Sequence, residues 1–378
     1  MANKHPKHIL VISDPPEAPG YFPRLRYMCD FLMQKGYDIT LLTEQYQPLI
    51  FAHEYPIITI PMYTGGLFDW GIKTIWTLVA DWHNKAFACK FFQRNNCVPY
   101  DLVLCTAFSD FPLGAAKIIA QRLEVPLICD IRDLDEQVDN STYQYQHQQW
   151  WLMPFRNIYR AIHIRRRNQV LRAANAITTV SPWHAEFIKR HNPHTYIVYN
   201  GFDEKQFYPE NISTDTFTIS YIGTLYDWQK PALEKVKRAI QELDSPIQFI
   251  FHTPTQDAIP HDQLGDAIRS SSIMLVLTNT NVHGMLTTKF YEALGCDKPV
   301  LCVPSDNGSL AELINYTNAG IATDDITNIK AFIVDKYNEW KENGYTRQKT
   351  QHRIAFSRQE QNRLLVKIIE KQLSKDTY

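Results

Sequence analysis

The stretch from residue 287 to residue 320 constrains the fold most strongly, because helix and strand signals alternate within it. Thr287 or Thr288 can cap a helix that runs to Gly295. Residues 299–303 form an apolar, partly β-branched run, which is typical of a strand buried on both faces of a parallel sheet. A second helix begins at Ser309, where the spacing of Ser and Glu predicts a capping box. This order predicts an α/β fold built on parallel strands.

The same alternation extends over the whole chain. A length of 378 residues exceeds one ordinary core and predicts two domains. We place the first domain at 1–203, the second at 204–352 and a terminal helix at 353–378. Within the first helix, four apolar residues share one face: Leu25, Met28, Cys29 and Leu32. Strands are predicted at 9–12, 39–42, 101–105, 125–133, 176–181, 217–223, 247–251 and 273–277.

Composition narrows the functional classes. A net charge of −1 gives no case for nucleic-acid binding. The seven cysteines show neither a C-x-x-C pair nor zinc-site spacing, so they are predicted to be reduced thiols of a cytoplasmic protein. No window reaches the roughly 18 apolar residues of a membrane span.

A pattern in this stretch resembles group 1 (family 4-like) glycosyltransferases. It consists of Lys289, Glu292 three residues later, a short helix and a Lys-Pro-Val strand at 298–300. The resemblance implies the GT-B fold, in which two Rossmann-like, doubly wound domains face each other and a C-terminal helix crosses back to the first. It also implies a retaining, metal-independent transfer from a nucleotide diphospho-sugar to a glycan or lipid-linked acceptor, in cell-surface polysaccharide synthesis.

The resemblance assigns the donor site to the start of the helix predicted from Thr287 or Thr288 to Gly295. Glu292 would accept hydrogen bonds from the ribose, and the backbone of Thr287, Thr288 and Lys289 would face the diphosphate. A helix N-terminus suits phosphate, and a carboxylate suits two vicinal hydroxyls. Glu292 alone also fits an acidic residue placed favourably for the helix dipole. Where the family carries a sugar-contacting Glu, this chain has Gly284.

Further donor residues follow from the same resemblance. Gly20 remains from a pair of loop glycines near the donor phosphates, with Arg24 or Arg26 as candidate positive charges. In the second domain, Gly223 matches a family glycine. Thr224 replaces the family's arginine, and Lys230 would bind the diphosphate.

Residues 125–133 resemble the family's V-P-x-x-x-D-I-R-D strand end and make Arg132 and Asp133 the candidate catalytic residues. Polar residues at the carboxyl end of a parallel strand point into the ligand crevice. An Arg–Asp pair with a structural role is the alternative. Residues 133–135 also read as D-x-D, a metal-binding pattern of another glycosyltransferase class. The two-domain pattern argues against that class, and no metal is expected.

Residues 155–167 form a basic amphipathic helix preceded by Trp150 and Trp151. This pattern favours either contact with an anionic membrane surface or an ordinary surface helix. The aromatic-rich region 65–92 is predicted to be mostly core, with a minority of rings facing the acceptor. We therefore expect a cytoplasmic protein, with peripheral attachment to the inner face of the membrane as one option.

Two other functions remain open. A nucleotide-sugar epimerase of the same fold would use the donor site without a separate acceptor. A non-catalytic relative would act as a binding protein, as the missing Glu at 284 and Arg at 224 suggest. A dinucleotide dehydrogenase is disfavoured because no G-x-G-x-x-G follows the first strand.

Overall fold

The computed structural model describes residues 6–13, 22–44, 54–62, 67–95, 98–107, 110–137, 153–254, 256–280 and 283–374. These residues form two parallel sheets of seven and five strands with helices packed around them. The predicted α/β class is therefore confirmed. No helix within the described ranges is both long enough and apolar enough to cross a membrane.

The first sheet has the strand order β3-β2-β1-β4-β5-β6-β7. Its central strands are buried because helices cover both faces. The strands are β1 (His8–Ser13), β2 (Asp38–Glu44), β3 (Ile57–Ile60), β4 (Leu102–Ala107), β5 (Leu127–Ile131), β6 (Ala176–Thr179) and β7 (Thr195–Ile197). The accompanying helices are α1 (Phe22–Gln34), α2 (Leu67–Ala80), α3 (Trp82–Arg94), α4 (Asp110–Leu123), α5 (Met153–Ala173) and α6 (Pro182–Lys189).

The second sheet has the order β12-β11-β10-β8-β9. Its strands are β8 (Phe217–Ile222), β9 (Ile247–His252), β10 (Ile273–Leu277), β11 (Val300–Val303) and β12 (Gly320–Ala322). Its helices are α7 (Lys230–Gln241), α8 (Leu264–Arg269), α9 (Thr288–Gly295), α10 (Ser309–Tyr316) and α11 (Ile326–Asn343). Phe217, Ile219 and Tyr221 of β8 are fully buried, as a central strand requires.

The terminal helix α12 (Arg358–Leu373) returns to the first domain. Its apolar face joins the core cluster that contains the buried residues of α1, β1 and β2, as the sequence predicts. Ser357 begins the helix by accepting a hydrogen bond from the Glu360 amide. The Arg358 amide donates to the Phe202 carbonyl at 2.8 Å, which ties the start of the helix to the linker between the domains.

Of the two helix starts predicted within residues 287–320, the start of α9 is as predicted and the cap of α10 is not. Thr287 is the N-cap of α9 and accepts a hydrogen bond from the Lys289 amide. The capping box predicted at Ser309 is wrong, because Ser309 is already helical. The Asp306 carboxylate instead accepts hydrogen bonds from the Gly308, Leu310 and Ala311 amides. Glu312 is exposed and takes no part in the cap.

Candidate functional site

Both sheets reverse their strand order at a central pair, β1 and β4 in the first sheet and β10 and β8 in the second. In open α/β sheets, ligands bind beyond the carboxyl ends of the strands at such a switch point. The loop after β8 begins with Gly223, and the segment after β10 leads to α9. The start of the stretch 287–320 therefore lies at the switch point of the second sheet.

Gly223 and Lys289 are in direct contact at this point. A Cβ atom built on Gly223 would lie 2.5 Å from Cε and 2.7 Å from Nζ of Lys289. Gly223 also has φ 128, a conformation that residues with a side chain rarely adopt. The Lys289 ammonium thus lies across a bare backbone, 5.6 Å from the Tyr221 ring centroid. The family resemblance implies that both residues belong to the donor site, and the fold brings them together.

The Lys289 residue as a whole is half-buried, but its ammonium group has little contact with solvent. Burial lowers the pKa of Lys289, and nearby Glu292 opposes this effect. The ammonium makes no ion pair with the described residues. A cation held beside the first amides of α9 is suited to receive an anion, because both present positive charge.

Glu292 occupies the next turn of the same helix. Burial raises the pKa of Glu292, with Arg358 and then Lys289 acting in the opposite direction. Within the described part of the chain, its carboxylate accepts no hydrogen bond. The alternative interpretation places an acid in the first helical turn, whereas Glu292 lies beyond the first turn of α9. A half-buried carboxylate that keeps its acceptor capacity suits the hydroxyl donors of a ligand.

Arg358 is a site residue that the sequence does not reveal. Burial lowers its pKa, and Glu292 followed by Asp203 opposes this. It belongs to α12, far from Glu292 in the chain, and is 7% exposed. No local signal separates it from other arginines, and only the return of α12 to the linker brings it near Glu292.

Lys230 lies at the start of α7, with its Nζ 2.6 Å from the Asp227 carboxylate. Its side chain is 62% exposed. The preceding segment is fixed by buried Gln229, which accepts from the Tyr226 amide at 2.9 Å and donates to the Leu277 carbonyl at 2.9 Å. Lys230 is thus an exposed, ion-paired residue on a fixed segment, and its phosphate-binding role stays a prediction.

Of the two candidate arginines in α1, Arg24 points inward and Arg26 outward. Arg24 Nη1 donates to Asp130 Oδ2 at 2.6 Å, and their side chains are 12% and 3% exposed. Asp130 also accepts from Thr106 at 3.0 Å and Thr178 at 2.7 Å. Burial opposes ionisation of Asp130, but Arg24 and these hydrogen bonds outweigh it and lower its pKa. Arg26 lies at the surface, 3.7 Å from Asp30.

Arg132 and Asp133 follow β5 as predicted. Arg132 is half-buried and close enough to Asp130 to stabilise its charge, whereas Asp133 is exposed. Their assignment as catalytic residues stays a prediction. Gly20 lies outside the described residues, as does the side chain of Asp135. The described residues contain no group of three His, Cys, Asp or Glu side chains arranged to hold a metal ion.

Gly284 packs directly against the first domain. A Cβ atom at this position would lie 2.3 Å from Cβ of Trp183, the second residue of α6. Trp183 is held in turn by Gln137, whose amide donates to its carbonyl at 2.9 Å. The position where the family carries a glutamate is therefore a close interdomain contact that accepts only glycine.

Two histidine–carboxylate pairs lie after strands of the first sheet, and sequence reasoning missed both. His83 Nε2 is 3.0 Å from the Glu44 carboxylate at the end of β2. His163 contacts the Asp110 carboxylate, which follows β4. The Phe111 ring lies 4.1 Å from the His83 ring. These pairs place buried polar groups near the carboxyl ends of two strands of the first sheet.

The arginines of the predicted basic helix do not form one surface. Arg167 is buried and pairs with Glu136. Arg166 donates to the Thr77 and Leu78 carbonyls of α2, at 2.7 and 2.6 Å. Arg165 is exposed and Arg160 is half-buried, while the Arg156 side chain lies outside the described residues. The helix is present as α5, but Arg166 and Arg167 hold the first domain together.

Comparison with known proteins agrees with this geometry. Residues 24–206 match the family described as Glycosyltransferase Family 4. The match covers most of the first domain, and it is consistent with a family 4-like glycosyltransferase of the GT-B fold. None of the curated proteins matches its sequence.

Solved structures resemble this chain over nearly its whole length. Sucrose-phosphate synthase from Thermosynechococcus elongatus is 14% identical with a TM-score of 0.65, covering 98% of this chain and 100% of its own. HepE from Anabaena, in complex with UDP and glucose, is 12% identical with a TM-score of 0.64, covering 97% and 100%. A glycosyltransferase from Rickettsia africae is 12% identical with a TM-score of 0.60, covering 98% and 99%. At these identities, the likeness establishes the fold.

Proposed function

We propose that this protein transfers a sugar from a nucleotide diphospho-sugar to a glycan or lipid-linked acceptor, with retention of configuration and without a metal ion. The observation that carries the proposal is the placement of Lys289 and Glu292 on α9, the first over Gly223 and the second beside Arg358. One positive and one negative group on successive turns match the diphosphate and the ribose of a single ligand.

The donor would bind along α9. Thr287 accepts from the Lys289 amide with its side chain and from the Phe290 amide with its carbonyl, so the Thr288 amide is the donor at the helix start that would face a phosphate oxygen. Lys289 would neutralise the diphosphate, and Glu292 would accept the ribose hydroxyls. HepE, which shares the fold, is known in complex with UDP-glucose, and this supports a nucleotide-sugar donor here.

Departure of the nucleoside diphosphate leaves negative charge on the β-phosphate. Fixed cations and amides in a partly dry site stabilise such charge without reorganisation. We assign this role to Lys289 and the α9 amides, with Lys230 at the outer edge. Arg132, held near the buried Asp130 carboxylate, would supply charge from the first domain. These groups would do the work that a divalent cation does in the D-x-D class.

The sugar itself meets a different surface from that of relatives with a glutamate at position 284. The contact between Gly284 and Trp183 excludes any side chain there. Recognition of the sugar would therefore depend on backbone groups and on first-domain residues such as Arg132 and Asp133. The acceptor would enter along the first-domain strand ends, where the two histidine–carboxylate pairs lie.

A thermal-shift panel of nucleotide diphospho-sugars tests the proposal. A donor present at about 100 times its dissociation constant should stabilise the protein by about 2.7 kcal/mol. Incubation of the stabilising donor without acceptor then separates transfer from epimerisation, because isomerised sugar would appear only with an epimerase. If no nucleotide sugar shifts the melting temperature, a non-catalytic relative becomes the better description.

A further inference from the structure

A groove of about 1220 Å³ lies at the junction of the two domains. One wall is formed by α1 and the start of α12, which pack in one core cluster of the first domain, and the other by residues 203–208 and 261–269. Gly223, Lys289 and Glu292 are not among the described residues that line it. The groove is therefore separate from the candidate donor site on α9.

Arg358 lines this groove although it is only 7% exposed. Its guanidinium makes no hydrogen bond and no ion pair with the described residues, and its Nε is buried without a partner. Glu292 and Asp203 lie close enough to stabilise its charge but beyond ion-pair distance. Buried charges are normally paired and hydrogen-bonded, because their desolvation is costly. Arg358 therefore keeps its donors for an anion that enters the groove.

Glu204 keeps an acceptor in the same groove. Its Oε1 accepts from the Tyr27 hydroxyl at 2.6 Å, whereas its buried Oε2 has no hydrogen-bond partner in the described part of the chain. Glu204 and Arg358 are both described residues with opposite charges on one groove, yet they form no ion pair with each other. A ligand that presents an anionic group to Arg358 and a hydroxyl to Glu204 would satisfy both residues.

The rest of the groove carries both signs of charge. Two exposed lysines, Lys35 and Lys205, and two acids, Asp203 and Asp262, make no ion pair within the described ranges. The remaining arginines of the groove are already paired with carboxylates: Arg26, Arg269 and Arg363. Unpaired cations together with unpaired carboxylates suit a ligand whose anionic group stands next to several hydroxyl groups.

We propose that this groove binds a small hydroxylated anion, either a sugar phosphate or a sugar acid. Arg358 holds the anionic group, because a planar guanidinium matches the oxygens of both phosphate and carboxylate. Glu204 accepts a hydrogen bond from a hydroxyl through Oε2, and Lys205 adds positive charge at the rim. The site is independent of the proposed function, since it requires neither a nucleotide-sugar donor nor transfer.

Crystal soaking and titration calorimetry test the proposal on the full-length protein. Crystals are soaked in tungstate, whose anomalous scattering locates a bound anion. Calorimetry compares glucose 6-phosphate, glucuronate and neutral glucose. The groove variants are Arg358→Leu and Lys205→Glu. The matched control Lys367→Glu makes the same charge change at an exposed lysine of α12 that does not line the groove, and Lys289→Met marks the candidate donor site.

We expect a tungstate peak within hydrogen-bond distance of the Arg358 guanidinium on the side of the groove. Glucose 6-phosphate or glucuronate, whichever is the ligand, should bind more tightly than glucose. Arg358→Leu should weaken this binding by about ten- to a hundredfold, because a charge-assisted hydrogen bond is lost. Lys205→Glu should weaken it by about fivefold, as the reversal of one exposed charge does. Lys367→Glu and Lys289→Met should bind the anion as wild type does.

Several results would overturn the proposal. One is an affinity that Lys205→Glu leaves unchanged, and this variant decides the matter even if Arg358→Leu does not fold. Another is binding that Lys289→Met abolishes while the groove variants keep it, because the anion would then occupy the candidate donor site. Anion binding in the groove by a protein that binds no nucleotide sugar would remove the proposed function and leave this site intact.

Discussion

The buried pair of Arg24 and Asp130 gives the sharpest prediction for stability. Asp130→Asn keeps the shape of the side chain and can still accept from one threonine, but it leaves the Arg24 guanidinium without a counter-charge. Side-chain exposures of 12% and 3% mean that water compensates little. Removing one member of such a pair typically costs about 3–5 kcal/mol. We expect a loss of this size in the free energy of unfolding.

Urea denaturation followed by circular dichroism measures this loss, and a double-mutant cycle isolates the pair. Arg24→Met should also destabilise, because it leaves a buried carboxylate. The double variant should cost clearly less than the sum of the two, since no unpaired charge remains. If the cost of the double variant equals the sum of the two single costs, Arg24 and Asp130 do not act as a pair and the reasoning fails.

The pH dependence of the same variants has a definite sign. The pKa of Asp130 is held below its usual value, so the pair's contribution is fully present above the unfolded-state pKa of about 3.9. It is lost as the pH falls through the lower folded-state pKa. Wild type and Asp130→Asn should therefore differ most near neutral pH and converge in acid. A difference that stays constant in acid would contradict the assignment.

Three further predictions concern the crevice. Gly284→Ala should lower the melting temperature by a destabilisation of about 1–3 kcal/mol, because the new methyl overlaps Trp183. The same change should cost less in a Trp183→Gly background, which lacks the overlapping Cβ, and an unchanged melting temperature would contradict the close contact. Lys289→Met should weaken binding of the nucleoside diphosphate in titration calorimetry by about ten- to a hundredfold. Burial lowers the pKa of Lys289, so the wild-type affinity for the nucleoside diphosphate should begin to fall at a lower pH than it would with a solvent-exposed lysine. Wild-type affinity in Lys289→Met would exclude the phosphate role. Turnover should persist in excess chelator, and loss of activity restored by manganese or magnesium would overturn the metal-independent mechanism.

Features that depend on local sequence were predictable. The alternation of apolar runs and caps gave the α/β class, the Thr287 cap of α9 and the buried face of α1. Each depends on residues a few positions apart, where propensity and periodicity act directly. The capping box at Ser309 failed even so, because Asp306 lies closer to the free amides of α10 and takes the role first.

Features that depend on distant residues were not predictable. The three consecutive arginines at 165–167 are equivalent in the sequence. In the fold, Arg167 is buried and donates to Glu136, and Arg166 donates to carbonyls of α2. Gly284 reads as a lost glutamate, and only the contact with Trp183 shows that a side chain cannot fit. Arg358 joins Glu292 through the return of α12, which no spacing indicates.

The donor affinity of Glu292→Ala, compared with that of Glu312→Ala, tests the central claim most directly. Both residues are acids of short helices in the organising stretch, but Glu312 is exposed and takes no part in a cap. Loss of a charged acceptor to the ribose should cost about 1.5–3 kcal/mol, which is about ten- to a hundredfold in the dissociation constant. The account predicts that loss for Glu292→Ala and wild-type affinity for Glu312→Ala; the melting temperature should fall only for Glu292→Ala, because buried Arg358 loses its main counter-charge. Equal donor affinity in wild type and Glu292→Ala would contradict a nucleotide-sugar site on α9.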